Sequence, residues 1–164
     1  MLTILLVDDN RHLQIAFKKV LSSSGYRVEL ASDGEEGLRL AHSTRPDVIL
    51  LDMLLPKLGG VEVLRALKAD GTTKTIPVIA LSGLPMSNES RVRKDGAVSY
   101  LQKSNLENFD LLLQSIDHAL LLPRDNEFSE VAFLPNTPEQ AEVCQPSPSN
   151  DVPAESSASK KDND

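Results

Sequence analysis

The chain has 164 residues, with 24 acidic and 17 basic side chains, a formal net charge of −7, six aromatics and one cysteine. That length suits one domain with a tail, Cys144 has no partner in the chain for a disulfide framework, and the acidic balance argues against direct nucleic-acid binding, which relies on clustered Lys and Arg. Ile4 to Val7, the longest apolar run near the start, is too short for a secretory or membrane-spanning segment and ends in Asp8 and Asp9, so a cytoplasmic protein without a membrane association is expected.

In chain order, Ile4-Leu5-Leu6-Val7 is the first strand, apolar without interruption. Leu13, Phe17, Val20 and Leu21 follow at helical spacing, and Gly25 stands where that helix should stop. Arg27 to Leu30 reads as a weaker strand. Asp33 and Glu36 then have the spacing of a capping box ahead of a helix that carries Leu38 and Ala41. Val48-Ile49-Leu50-Leu51 is a second uninterrupted run, and Val63, Leu64 and Leu67 mark a third helix that Gly71 closes. Val78-Ile79-Ala80-Leu81 is the third such run, followed by the least periodic helix, about Ser87 to Lys94, and by a strand over Val98 to Leu101. Leu106, Phe109, Leu113, Ile116 and Leu120 mark the last helix, with Ser104 and Glu107 spaced to cap it.

Runs that are apolar without alternation suit strands covered on both faces. Three such runs and the two weaker strands, alternating with five helices, predict an α/β, doubly wound, five-stranded parallel sheet with helices on both faces. Residues 1–122 are nearly neutral, with 14 basic and 15 acidic side chains, whereas residues 123–164 hold 3 and 9. This second segment also holds six of the ten prolines and no glycine, and its apolar residues thin out after Leu134. Such a composition cannot bury enough surface to offset chain entropy, so 123–164 is expected to be an acidic, proline-rich disordered tail.

Ligands of open α/β sheets bind outside the carboxyl ends of the strands. There the predicted elements place Asp8 and Asp9 after the first strand, Asp52 after the third, Ser82 after the fourth and Lys103 after the fifth. Taken singly, each has an ordinary reading as a turn residue, a helix cap or a solvated charge. Together they make a rim of three carboxylates, one hydroxyl and one ammonium. Converging carboxylates favour a hard divalent cation such as Mg²⁺, which is held by a few carboxylates together with phosphate oxygens. An Asp beside such a cation can act as nucleophile toward a phosphoryl group, and Asp52, at the central strand, is the best placed.

These residues resemble the receiver domain of bacterial two-component response regulators. The resemblance covers about Leu2 to Leu122 and rests on Leu6-Val7-Asp8-Asp9-Asn10, on Leu50-Leu51-Asp52-Met53-Leu54-Leu55-Pro56 with the following Gly60, on Leu81-Ser82-Gly83, and on Tyr100-Leu101-Gln102-Lys103. It implies a flavodoxin-like sheet of order 2-1-3-4-5. Asp52 would accept phosphate from a histidine kinase or phosphotransfer protein, and a protein effector would act downstream. Mg²⁺ would be held by Asp8, Asp9 and Asp52 with the Met53 carbonyl. Ser82 and Lys103 would contact the phosphoryl group, and Tyr100 would be the switch aromatic whose ring moves inward. The protein would then be a signalling switch that assists only its own phosphorylation and dephosphorylation, without an attached output domain.

Two features depart from the family's common pattern. Ser104 replaces the proline that usually follows the lysine, so that peptide bond either holds a strained cis form or is trans. Leu54 and Leu84, each two positions beyond a site residue, give an apolar rim expected to slow hydrolysis of the phosphoryl group. Two other readings compete: a receiver-like docking module that works without phosphorylation, and an FMN-binding flavodoxin-like protein. The latter fits poorly, because Asp8-Asp9-Asn10 would repel a flavin phosphate.

Overall fold

The computed structural model describes residues 1–83, 89–105 and 109–123. The chain divides into Met1–Glu127 and Phe128–Asp164, and only the first part contains described residues. The expected tail therefore lies, beyond Pro123, outside them. The elements are β1 (Thr3–Val7), α1 (Arg11–Ser23), β2 (Arg27–Ala31), α2 (Gly34–Thr44), β3 (Val48–Asp52), α3 (Gly60–Ala69), β4 (Val78–Ser82), α4 (Glu89–Lys94), β5 (Ser99–Gln102) and α5 (Asp110–Leu121). All strand pairs are parallel and the sheet order is β2-β1-β3-β4-β5.

The uninterrupted apolar runs divide residue by residue between two cores. Leu5, Val7, Ile49, Leu51, Val78 and Ala80 pack with Ala41 of α2, Val63, Leu64 and Leu67 of α3, and Val92 of α4. Ile4, Leu6, Val48, Leu50, Ile79 and Leu81 pack on the opposite face with Phe17 and Leu21 of α1 and with Leu112, Ile116 and Ala119 of α5. Successive strand side chains point to opposite faces, so a strand between two helical layers needs an apolar residue at every position. The Phe17 and Phe109 rings meet edge to face, 5.6 Å apart, and join α1 to the start of α5.

Local signals place the helices. Asn10 caps α1, its Oδ1 accepting from the amides of His12 (3.0 Å) and Leu13 (3.3 Å). Asp33 caps α2 by accepting from Glu36 N at 2.9 Å, and Glu36 answers by accepting from Ser32 N at 2.9 Å. α1 ends just before Gly25, whose φ of +88° is open to glycine and strained for other residues.

One expectation meets a different outcome. Ser104 is not the cap of the last helix. It lies in a 3-10 turn over Lys103–Asn105, which turns the chain directly after β5 and keeps Lys103 on the rim, and α5 begins only at Asp110. Glu107, its expected capping partner, lies outside the described residues. The Lys103–Ser104 peptide is trans, as are all described peptide bonds. Of the helix expected over Ser87 to Lys94, the described part is Glu89–Lys94. Among the described residues, no helix is long and apolar enough to cross a membrane.

Candidate functional site

Because every strand runs the same way, all five end on one rim. β1 pairs with β3 up to Val7 opposite Leu51, so the next residues, Asp8 and Asp52, emerge side by side. One carboxylate oxygen from each of Asp8, Asp9 and Asp52 lies within 4.8 Å of the others. Asp8 and Asp52 are buried, at 0% and 2% exposure, while Asp9 faces solvent. Since Asn10 performs the capping of α1, the ordinary reading of Asp9 as a helix cap does not hold.

Two backbone amides and one ammonium orient the buried pair. Asp8 Oδ1 accepts from Asn10 N at 2.8 Å, and Asp52 Oδ1 accepts from Leu54 N at 3.0 Å. Lys103 Nζ lies 2.6 Å from Asp52 Oδ2, to which it donates, and 2.8 Å from Asp8 Oδ2. The contact with Asp8 is an ion pair, and among the described residues this fully buried oxygen has no hydrogen-bond partner. Burial raises the Asp52 carboxyl above the ordinary aspartate range, against the downward pull of Leu54 N–H and Lys103. Burial also works to lower the Lys103 ammonium, but its hydrogen bond to Asp52 and its pairing with the charge of Asp8 outweigh that and hold it above the usual lysine value.

Three carboxylates against one ammonium leave two negative charges, which a divalent cation would balance. The donors are all hard oxygens, one of them buried and without a hydrogen bond, and this set suits Mg²⁺. Met53 follows Asp52 directly, and among the described residues its carbonyl accepts a single long bond, 3.4 Å from Gly60 N, which leaves it lone-pair capacity for a cation.

The other expected site residues lie around this cluster. Ser82 ends β4 and is buried; Tyr100 is buried with its ring among the α2–α4 core residues. Both line a cavity of about 240 Å³ together with Met53, Leu54, Arg91 and Val92. Leu54 stands at the rim, 53% exposed. Leu84 lies outside the described residues. The sequence reading passed over one polar residue that the fold buries beside the cluster, Gln14 on α1. Its spacing to Phe17 and Leu21 places it on the inward stripe of that helix, a signal that was available.

The family model described as the response regulator receiver domain matches residues 4–117. A response regulator named MprA from Mycolicibacterium vanbaalenii is 42% identical over 101 residues, which are 61% of this chain and 43% of that protein. The polar-differentiation response regulator DivK of Brucella anthropi is 37% identical over 102 residues, 62% of this chain and 83% of its own. The chain thus spans less than half the length of the MprA relatives it matches. Among solved structures, the Vibrio cholerae chemotaxis protein CheY4 superimposes with a TM-score of 0.68 at 30% identity, over 73% of this chain and 99% of that one. Thermotoga maritima response regulator TrrA, solved in complex with Mg²⁺-BeF, gives 0.66 at 29% identity over 73% and 100%.

Proposed function

The chain belongs to the response regulator receiver domain family, whose members are signalling switches of two-component systems, and from that premise we propose that Asp52 accepts a phosphoryl group with the help of Mg²⁺. The observation that carries this reading is the convergence of Asp8, Asp9 and Asp52 within 4.8 Å, with the Lys103 ammonium against two of them. The likeness to TrrA, a protein solved with Mg²⁺-BeF, supports it. When bound, Mg²⁺ would be held by Asp8, Asp9, Asp52 and the Met53 carbonyl and would offset negative charge on the transferring group.

The chain's own residues supply the rest. An Asp52 carboxylate oxygen attacks phosphorus, and the P–N bond of a phosphohistidine donor breaks with its electron pair returning to the imidazole. Leu54 N–H holds the carboxylate in one orientation. Lys103, freed from its pairing with Asp52, turns its charge to the phosphoryl oxygens. Ser82 donates a hydrogen bond to the same group. Because Ser82 and Tyr100 line one cavity, movement of the hydroxyl alters the space beside the ring, and the switch passes to the surface of α4, β5 and α5. Leu54 and Leu84 shield the aspartyl phosphate from water. A histidine kinase or phosphotransfer protein acts upstream and a protein effector downstream, within the cytoplasm.

The test is to expose wild type and Asp52→Asn to phosphorylated histidine kinases and to acetyl phosphate, with and without Mg²⁺, and to follow the intact mass. Wild type should gain one phosphoryl group only with Mg²⁺, and Asp52→Asn none. Equal labelling of both proteins would move the acceptor elsewhere. No labelling, with no Mg²⁺-dependent response to beryllofluoride, would leave the docking-module reading in its place.

A further inference from the structure

We propose that Gln14 is a positioning residue for the divalent-cation site, holding the Asp8–Asp9 peptide so that the two carboxylates are presented together. The inference rests on the cation reading above. Gln14 is only 7% exposed, and its Nε2 lies 2.6 Å from the Asp8 carbonyl oxygen and 3.0 Å from that of Ala31. Both carbonyls can only accept, so the amide presents its nitrogen to them, with Ser32 Oγ a longer third contact at 3.5 Å.

The pairing of β1 with β2 ends at Val7 opposite Ala31. One step beyond, Asp8 N donates to Ala31 O at 3.1 Å, and the Gln14 amide ties Asp8 O to the same Ala31 oxygen. Gln14 therefore adds a rung to the sheet past the end of β1. The Asp8 side chain is set separately, by Asn10 N–H. The Asp8 carbonyl belongs to the same rigid plane as the Asp9 amide and Cα, so holding it fixes where the Asp9 Cα sits and leaves rotation about its N–Cα bond as the remaining freedom in aiming the exposed side chain. Without that hold, repulsion among the carboxylates would favour a backbone that turns Asp9 away.

Packing alone does not call for an amide here. Phe17 and Leu21 already bury the inward stripe of α1, and Asn10 caps it. A buried amide costs free energy unless it is hydrogen-bonded, and this one places its shortest bond, 2.6 Å, on the carbonyl of the residue that begins the acidic cluster.

Calorimetric Mg²⁺ titration of the full chain tests the proposal in three proteins: wild type, Gln14→Met, which keeps the length without the donors, and Phe17→Leu, a core change on the same helix clear of the Asp8 backbone. Gln14→Met should weaken Mg²⁺ binding about tenfold or more, as loss of an outer-shell partner does, and Phe17→Leu should change it less than about twofold at a comparable loss of Tm. Unaltered Mg²⁺ affinity in Gln14→Met overturns the proposal, and so does equal weakening in both variants. Should Gln14→Met not fold, nuclear magnetic resonance of wild type decides: the Gln14 side-chain amide and the Asp9 amide should shift with one Mg²⁺ midpoint, and a silent Gln14 signal overturns it. A wild type that takes up no Mg²⁺ overturns the cation reading and this inference together, whereas normal wild-type binding with an unaltered variant overturns this inference alone.

Discussion

The Lys103 ammonium lies 2.6 Å from Asp52 Oδ2 and remains close enough to Asp8 Oδ2, at 2.8 Å, to serve both buried carboxylates at once. It is the positive charge that permits two aspartates to be desolvated side by side. Lys103→Met should therefore destabilise the metal-free protein by about 2 kcal/mol, less than the usual cost of breaking a fully buried pair because Asp52 can take up a proton. The same variant should gain more from Mg²⁺ than wild type does, since three carboxylates then stand uncompensated. Thermal unfolding with and without saturating Mg²⁺ checks this; an equal Mg²⁺-induced rise in Tm for both proteins would contradict it.

Gly60, the first residue of α3, packs against the backbone of Asp52 and Met53. A Cβ there would overlap the Asp52 carbonyl oxygen and stand 2.6 Å from Met53 Cα. Neither atom belongs to a side chain that can swing away, so Gly60→Ala must push α3 off the end of β3, at a cost of about 1–3 kcal/mol. Gly71→Ala is the matched control, because a Cβ at Gly71 meets nothing within 4 Å. Urea denaturation should separate the two variants, and Mg²⁺ affinity should fall only in Gly60→Ala, through the displaced Met53 carbonyl.

What could be read from the sequence follows from how each signal is written. Strands between two helical layers demand an apolar residue at every position, so Val48 to Leu51 and Val78 to Leu81 announced themselves, and with them the rim that carries Asp52 and Ser82. The edge strand β2 was weaker because Arg27 is exposed and Glu29 only partly buried. Ser104 and Glu107 misled because cap spacing is a local pattern, whereas the turn after β5 is tied to the placement of Lys103 on the rim. Gln14 was passed over because a polar residue on an apolar stripe looks like noise until its two carbonyl partners, one just past β1 and one at the end of β2, are seen. Lys68 escaped for the same reason: its acceptors, Lys74 O and Ile76 O, lie in the loop beyond its own helix.

That lysine gives a pH dependence whose sign can be worked out. Burial lowers the Lys68 pKa from 10.5 to about 8, although Nζ donates to Lys74 O at 2.9 Å and Ile76 O at 2.8 Å. Between about 8 and 10.5 the unfolded chain holds a proton at this position that the folded chain has released. Stability attributable to Lys68 therefore rises with pH across that window, with a slope below the one-proton limit of about 1.4 kcal/mol per pH unit. Below the window both states are protonated and the cost of burying the charge is borne in full. Denaturant unfolding at several pH values should show the rise in wild type relative to Lys68→Met, and parallel profiles for the two proteins would refute it.

Leu54 sets the last expectation, the lifetime of the phosphorylated state. Its amide holds Asp52 Oδ1 at 3.0 Å, while its side chain stands 53% exposed at the rim. Water approaching the proposed aspartyl phosphate would pass this rim, where a hydrocarbon offers no donor or acceptor to orient it. An amide at the same position does, without altering the backbone bond that orients Asp52. Leu54→Asn should therefore shorten the lifetime about tenfold, equivalent to roughly 1.4 kcal/mol of barrier. Phosphorylating both proteins with acetyl phosphate, removing the donor and following the intact mass with time measures the two decays. Slower decay in Leu54→Asn would mean that the leucine does not shield the site and that its exposed side chain serves another purpose.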